Sequence, residues 1–248
     1  MCIRDSVCTE KQFLDAIPEV IEAIESYDTT TVRASVGNYL VSKYIKNHSE
    51  AKVIFNGDGS DEVCGGYMYF HAAPDSIAFD QECRRLLKDI HMFDVLRSDR
   101  SISSNGLEAR TPFLDRHFVE TYLSIPTNFR VLGNGKCEKY LLRKAFENFT
   151  LLPKEVLFRT KEAFSDGVST QTKSWFEIIQ DHVETLEFPV DDTISDNKPT
   201  TKEQQYYRHI FDQYYKGCSN LIPYFWMPRF VDATDSSART LQIYKDKI

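Results

Sequence analysis

The amino-acid sequence predicts an α/β fold. Three observations carry that expectation: an apolar stripe of helical period near the start, a short β-prone triplet beyond a second helix, and a glycine-rich acidic loop directly after the triplet. Phe13, Ile17, Val20, Ile21 and Ile24 recur at three- and four-residue spacing, which predicts one helix from Phe13 to Ile24. Tyr27-Asp28-Thr29-Thr30 breaks it, and Thr30 or Thr31 can cap a second helix. That helix carries Val32, Val36, Tyr39, Leu40 and Tyr44 on one side, with Lys43 and Lys46 near its end, where cations suit the helix dipole. Val53-Ile54-Phe55 is short and apolar, as expected of a buried strand in a parallel sheet.

Beyond residue 79 the chain reads as mostly helical. Phe79, Cys83, Leu86, Leu87, Ile90 and Phe93 form one stripe. Lys139 to Phe149 predicts another helix, with Tyr140, Leu141, Ala145 and Phe146 as candidate core. Between Phe188 and Thr201 the composition turns to Asp, Thr, Ser, Asn and Pro, which predicts a mobile surface loop or linker. A last helix carries Tyr206, Tyr207, Ile210, Phe211 and Tyr214.

Bulk properties exclude several classes. A chain of 248 residues has room for one large domain or two small ones. Its 42% hydrophobic content can bury a real core, and 17 Phe with 13 Tyr argue against disorder. The net charge of −7 is spread without a basic run, so no nucleic-acid partner is expected. No apolar stretch reaches the roughly 18 residues of a membrane span. The six cysteines are widely and irregularly spaced, which fits reduced thiols in the cytoplasm better than a disulfide frame or a zinc site.

The chemistry concentrates in Asn56-Gly57-Asp58-Gly59-Ser60-Asp61-Glu62, beyond the end of the predicted strand, where open α/β sheets bind ligands. Gly57 and Gly59 let backbone N–H groups approach a ligand or adopt positive φ. Asp58, Asp61 and Glu62 crowd three carboxylates together, tolerable if a cation such as magnesium arrives with a nucleotide. An EF-hand loop would need Gly at 61 and Glu at 67, where Asp61 and Tyr67 stand. A Walker loop ending at Gly135-Lys136 would need Gly in place of Arg130.

This loop with Tyr67-Met68-Tyr69-Phe70-His71 resembles the second nucleotide-site segment of the asparagine synthetases. Further stretches resemble the same family in the same order: Tyr27 to Ser35, Gly106 to Asp115, Lys161 to Val168, Tyr224 to Pro228 and Ala233 to Thr240. The resemblance runs from about Phe13 to Tyr244 and implies a sheet of the ATP-pyrophosphatase, or adenine-nucleotide α-hydrolase-like, type. It implies an enzyme that activates the side-chain carboxylate of aspartate with ATP, giving β-aspartyl-AMP, and then forms asparagine with ammonia from a glutaminase domain. A homodimer of the full-length enzyme fits the same resemblance.

By that resemblance Asn56, Gly57 and Gly59 belong to the nucleotide loop, and Asp61 helps hold Mg2+. Lys161 sits on the phosphates and Tyr67 lines the pocket; Asp94 and Arg97, three apart on one helix, form either an ordinary surface ion pair or, as the resemblance implies, a pair near the active site. Catalytic roles then fall to Asp58, Lys161 and Arg97. Asp58 stands where the family usually has Glu, and Asn56 where it usually has Ser, so nucleotide binding with an impaired amination step is expected.

The family's first nucleotide loop, Ser-Gly-Gly-x-Asp-Ser, occurs nowhere in the sequence; the only Gly-Gly is Gly65-Gly66, followed by Tyr67. The expectation is therefore a partial synthetase domain over 9–248, preceded by foreign or unstructured residues 1–8, with the glutaminase domain missing and the chain alone inactive. Its sheet should lack strands and expose an edge and apolar surface. Cys2, which resembles the glutaminase nucleophile, is expected not to be catalytic, because no glutamine pocket can be built before the first helix. The competing expectations are a non-catalytic short paralogue that acts as a regulatory partner and a β-lactam synthetase-like amide-forming enzyme.

Overall fold

The computed structural model describes residues 6–133, 135–149, 151–170, 172–191 and 194–246. Residues 1–5, including Cys2, lie outside them, so most of the stretch expected to be foreign does too. The described chain is chiefly helical with a two-stranded parallel sheet. Helices α1 (Glu10–Asp15), α2 (Ile17–Ile24) and α3 (Thr29–His48) lead into β1 (Val53–Phe55). Then come α4 (Ser60–Cys64), α5 (Ser76–Asp89), α6 (Asp94–Ser103), β2 (Glu108–Arg110), α7 (Arg116–Ser124) and α8 (Thr127–Arg130). The rest comprises α9 (Tyr140–Glu147), α10 (Lys154–Leu157), α11 (Phe164–Gly167), α12 (Trp175–Glu184), α13 (Lys202–Tyr214) and α14 (Gln242–Lys245). No helix of the described residues is long and apolar enough to cross a membrane.

The expected Phe13–Ile24 helix is two helices. Pro18 sits in the first turn of α2, where its missing N–H costs nothing, and Thr9 caps α1 with a reciprocal bond from Gln12. Ile17, Val20, Ile21 and Ile24 are fully buried, while Phe13 packs edge-on against Trp175 with ring centroids 5.4 Å apart. These residues join Val32 and Val36 of α3, Trp175, Ile179 and Val183 of α12, and Tyr207, Ile210 and Phe211 of α13 in the main core. A second core packs Met68, Tyr69 and Phe70 against Phe79, Cys83 and Leu86 of α5 and against Trp226, Leu241 and Tyr244. Tyr214, expected with the α13 stripe, is 45% exposed; it is the last residue of the helix.

The cap of α3 is Asp28, not Thr30 or Thr31. Its Oδ2 accepts from the Thr31 N–H at 2.9 Å and from Thr31 Oγ1 at 2.6 Å, and its Oδ1 accepts from the Trp226 N–H at 2.7 Å. One carboxylate thereby starts a helix and fastens a segment nearly two hundred residues away. Burial pushes the Asp28 carboxyl up to about 6, against the lowering pull of those three donors.

β1 and β2 pair in parallel, Val53 opposite Glu108 and Phe55 opposite Arg110. The expectation of a buried strand fails: Val53 is 44% and Phe55 76% exposed, because among the described residues nothing packs over that face and no further strand joins the sheet. The exposed apolar surface itself was expected. Strand β2 was not, since Glu108-Ala109-Arg110 has no β-prone run. Helix α9 is shorter than expected, and Ala145 and Phe146 face solvent instead of a core. The stretch from 188 to 201 has no helix or strand among its described residues, with 192 and 193 outside them.

Replacing Asp28 with Ala is expected to lower unfolding stability by about 2 kcal/mol at pH 7, through the lost cap and the orphaned Trp226 N–H. A carboxyl raised by folding contributes most below its unfolded value of 3.8 and loses that contribution as pH rises through about 6. Urea unfolding should therefore show a deficit about 2 kcal/mol larger at pH 4 than at pH 7.

Candidate active site

Gly59 immediately precedes helix α4; its φ of +86° only glycine adopts freely, and a Cβ there would lie 2.3 Å from Leu114 Cγ. The loop thus turns sharply onto Leu114 and presents Asp61 to a cavity of about 540 Å³. Gly66 closes against Asp61 from the other side, where a Cβ would meet Asp61 Oδ1 at 2.2 Å. Two lysines converge on this carboxylate. Lys139 Nζ lies 2.9 Å from Oδ1 and also donates to Ser60 Oγ at 3.2 Å; Lys161 Nζ lies 3.3 Å from Oδ2. Burial alone would push the Asp61 carboxyl up, but Lys161 and Lys139 together hold it below the usual range. Lys161 also sits over the Tyr67 ring at 5.8 Å.

A second charged group faces the same cavity. Arg97 of α6 donates to Asp58 Oδ1 at 3.1 Å and to Asp94 Oδ1 at 3.0 Å. Burial works against the Arg97 charge, and the Asp58 and Asp94 carboxylates outweigh it, so its affinity for the proton rises. Tyr67 Oη donates to Glu62 behind them. Glu62 is 2% exposed, and burial, then Asp94 and Asp61, push its carboxyl well up.

Gly57, Asp58, Asp61, Tyr67, Arg97 and Lys161 all line the cavity, so one glycine, four charged side chains and a tyrosine singled out in the sequence are brought together. Asn56 and Gly59 stand behind the lining. Asn56 shapes the loop: its Nδ2 donates to Ser98 Oγ at 2.6 Å, and its Oδ1 accepts from the Asp58 N–H at 3.2 Å. Gly59 serves the turn and the Leu114 contact.

Several lining residues carried no sequence signal. Lys139 begins a helix like many lysines, and nothing announces that its φ is +57°. Arg143 donates to the Glu138 carbonyl at 2.7 Å and to the Leu157 carbonyl at 2.6 Å, fixing Lys139 against the segment that leads to Lys161. Arg33, Trp226 and residues 236–238, which fall in stretches that resemble the family, also line the cavity.

The cavity therefore offers cations for a polyanion at one end and a carboxylate–guanidinium network at the other. A family model described as asparagine synthase matches residues 4–79 and 74–229, most of the chain. The chain belongs to the asparagine synthase family. The asparagine synthetase [glutamine-hydrolyzing] of Gallus gallus is 50% identical over 253 residues, covering 99% of this chain and 44% of that protein. Those of Mus musculus and Homo sapiens are 50% and 48% identical, covering 94% and 95% of this chain. The chain spans less than half the length of these curated relatives.

Gly66→Ala is the sharpest test of the Asp61 geometry. The added methyl displaces a partly buried, doubly paired carboxylate, and the expected cost is about 1–3 kcal/mol in urea unfolding. An unchanged midpoint would show that Asp61 is not held where the two lysines place it.

Proposed function

We propose that the cavity binds ATP, with Lys139 and Lys161 on the phosphates, and that residues 9–248 are the synthetase part of a glutamine-dependent asparagine synthetase. The observation that carries this is the pair of lysines on Asp61, a charge arrangement that a triphosphate can take over, in a chain of the asparagine synthase family. In the complete protein the side-chain carboxylate oxygen of aspartate attacks the α-phosphorus and pyrophosphate leaves. Ammonia then attacks the acyl carbon, AMP leaves, and a proton is lost. Arg97, with Asp58 and Asp94, faces the acyl end and Tyr67 closes the side of the pocket, keeping water from the acyl-adenylate.

No three His, Cys, Asp or Glu among the described residues converge on a metal site. A magnesium ion carried on the phosphates needs only one or two protein carboxylates, and Asp61, ionised and facing the cavity, is the residue that fits. The ion would neutralise phosphate charge there. An ATP-pyrophosphatase-type sheet in the complete protein, a glutaminase partner domain supplying ammonia, a cytoplasmic location and a homodimer complete the proposal.

Isothermal titration with ATP tests the site. Lys139→Ala and Lys161→Ala are each expected to weaken ATP about tenfold while leaving adenosine nearly unchanged. Unaltered ATP affinity in both variants would overturn the phosphate assignment. At Asp58 the carboxylate is about one methylene short of the family's usual Glu. Asp58→Glu in the complete protein should raise asparagine formation on the order of 10²-fold, measured as product per time, and no gain would refute the impaired-amination reading.

A further inference from the structure

Two segments distant in sequence meet at the cavity wall beside Lys161. One is the 159–170 loop, whose only regular element is the single turn of α11. The other is the 235–244 stretch, and Arg239 joins them. Its guanidinium, with the side chain 8% exposed, donates to Glu162 Oε1 at 2.5 Å and to the Asp166 carbonyl at 2.9 Å through one terminal nitrogen. Through the other it donates to the Thr170 carbonyl at 2.7 Å and to Ser169 Oγ at 3.4 Å. Ser237 Oγ donates to the Asp166 carboxyl at 3.1 Å, and Tyr244 Oη to Glu162 Oε1 at 3.2 Å.

These contacts start at the residue after Lys161 and reach the end of the loop. Phe164 supplies the loop's apolar anchor, its ring so close to Gly37 of α3 that a Cβ there would lie 2.6 Å away. Lys161 itself has little else to fix it: its Nζ meets Asp61, the Glu162 carbonyl and the Tyr67 ring. We infer that Arg239 is a positioning residue for Lys161, setting the loop so that the ammonium points at Asp61 and the phosphates. This rests on the nucleotide reading above. A planar fork of five donors can hold four acceptors spread over nine residues, and a lysine's point charge cannot.

The test uses this chain with inorganic pyrophosphate and adenosine as separate probes in calorimetry. Arg239→Ala and Arg239→Lys are both expected to weaken pyrophosphate about tenfold while adenosine stays within about twofold. In a Lys161→Ala background Arg239→Ala should add no further loss, because both changes remove the same contact. Equal losses for the two probes, or additive losses in the double variant, would mean a merely structural ion pair and overturn the inference. Amide hydrogen exchange supplies a readout independent of binding: Arg239→Ala should speed exchange across 162–170 and leave α2 and α3 protected. Unchanged protection of the loop overturns it as well. If the unmodified chain takes up neither ATP nor pyrophosphate, the nucleotide reading falls, and the exchange measurement alone decides whether Arg239 holds the loop.

Discussion

The buried guanidinium of Arg33 is the interaction on which the cavity's architecture depends. It lies on α3, 4% exposed, with Glu203 of α13 on one side at 2.8 and 2.6 Å and Asp235 on the other at 2.7 and 2.9 Å. Its own carbonyl accepts from Trp175 Nε1 of α12 at 3.1 Å. One residue therefore ties three core helices to the stretch that lines the cavity at residues 236–238. Buried charge of this kind earns little net stability, since two carboxylates and a guanidinium all lose water. What it supplies is registry: removing Arg33 would leave two carboxylates facing each other without a cation, so the four segments fit together in one way. Asp28, a few residues earlier on the same helix, repeats the device by capping α3 and gripping Trp226.

Around that frame the cavity separates its charges. Lys139 and Lys161 surround one carboxylate, leaving a net positive corner; Arg97 serves two, leaving a net negative one. A ligand with a polyanionic tail and a group that must be held against a guanidinium matches this polarity end to end. The corners are built from different parts of the chain, α4 and the 139 and 161 segments for one, the 58 loop and α6 for the other. The Asp58 loop runs straight into α4, and Tyr67 Oη donates to Glu62 of that helix.

Much of this was legible in the sequence, and the limits are physical. The core stripes of α2, α5 and α13 follow from period alone, because burial on one helical face leaves a direct imprint. The acidic loop stood out because three carboxylates within five residues need a reason. Strand β2 was illegible since its pairing, not its side chains, makes it a strand. Asp28 was overlooked in favour of Thr30 and Thr31 because its second role, reaching Trp226, is long-range. Ala145 and Phe146 misled for the opposite reason: an apolar stripe says that a face could be covered, not that anything covers it. Lys139 gave no signal, as a lone cation reads as a solvated one until its partners are known; Arg239 fell within a stretch that resembles the family, but its role did not show, because its acceptors lie some seventy residues away.

The left-handed backbone at Lys139 narrows what this position can become. A non-glycine residue there carries about 1 kcal/mol of local strain, which glycine would relieve at once. Glycine, however, removes the ammonium at Asp61, and asparagine, the next most tolerant residue, offers no charge. A β-branched substitution would fail on the backbone before its chemistry mattered. Conformation and electrostatics thus pull toward different residues, and drift at this site should be slow even though its exposed neighbours on α9 are free to vary.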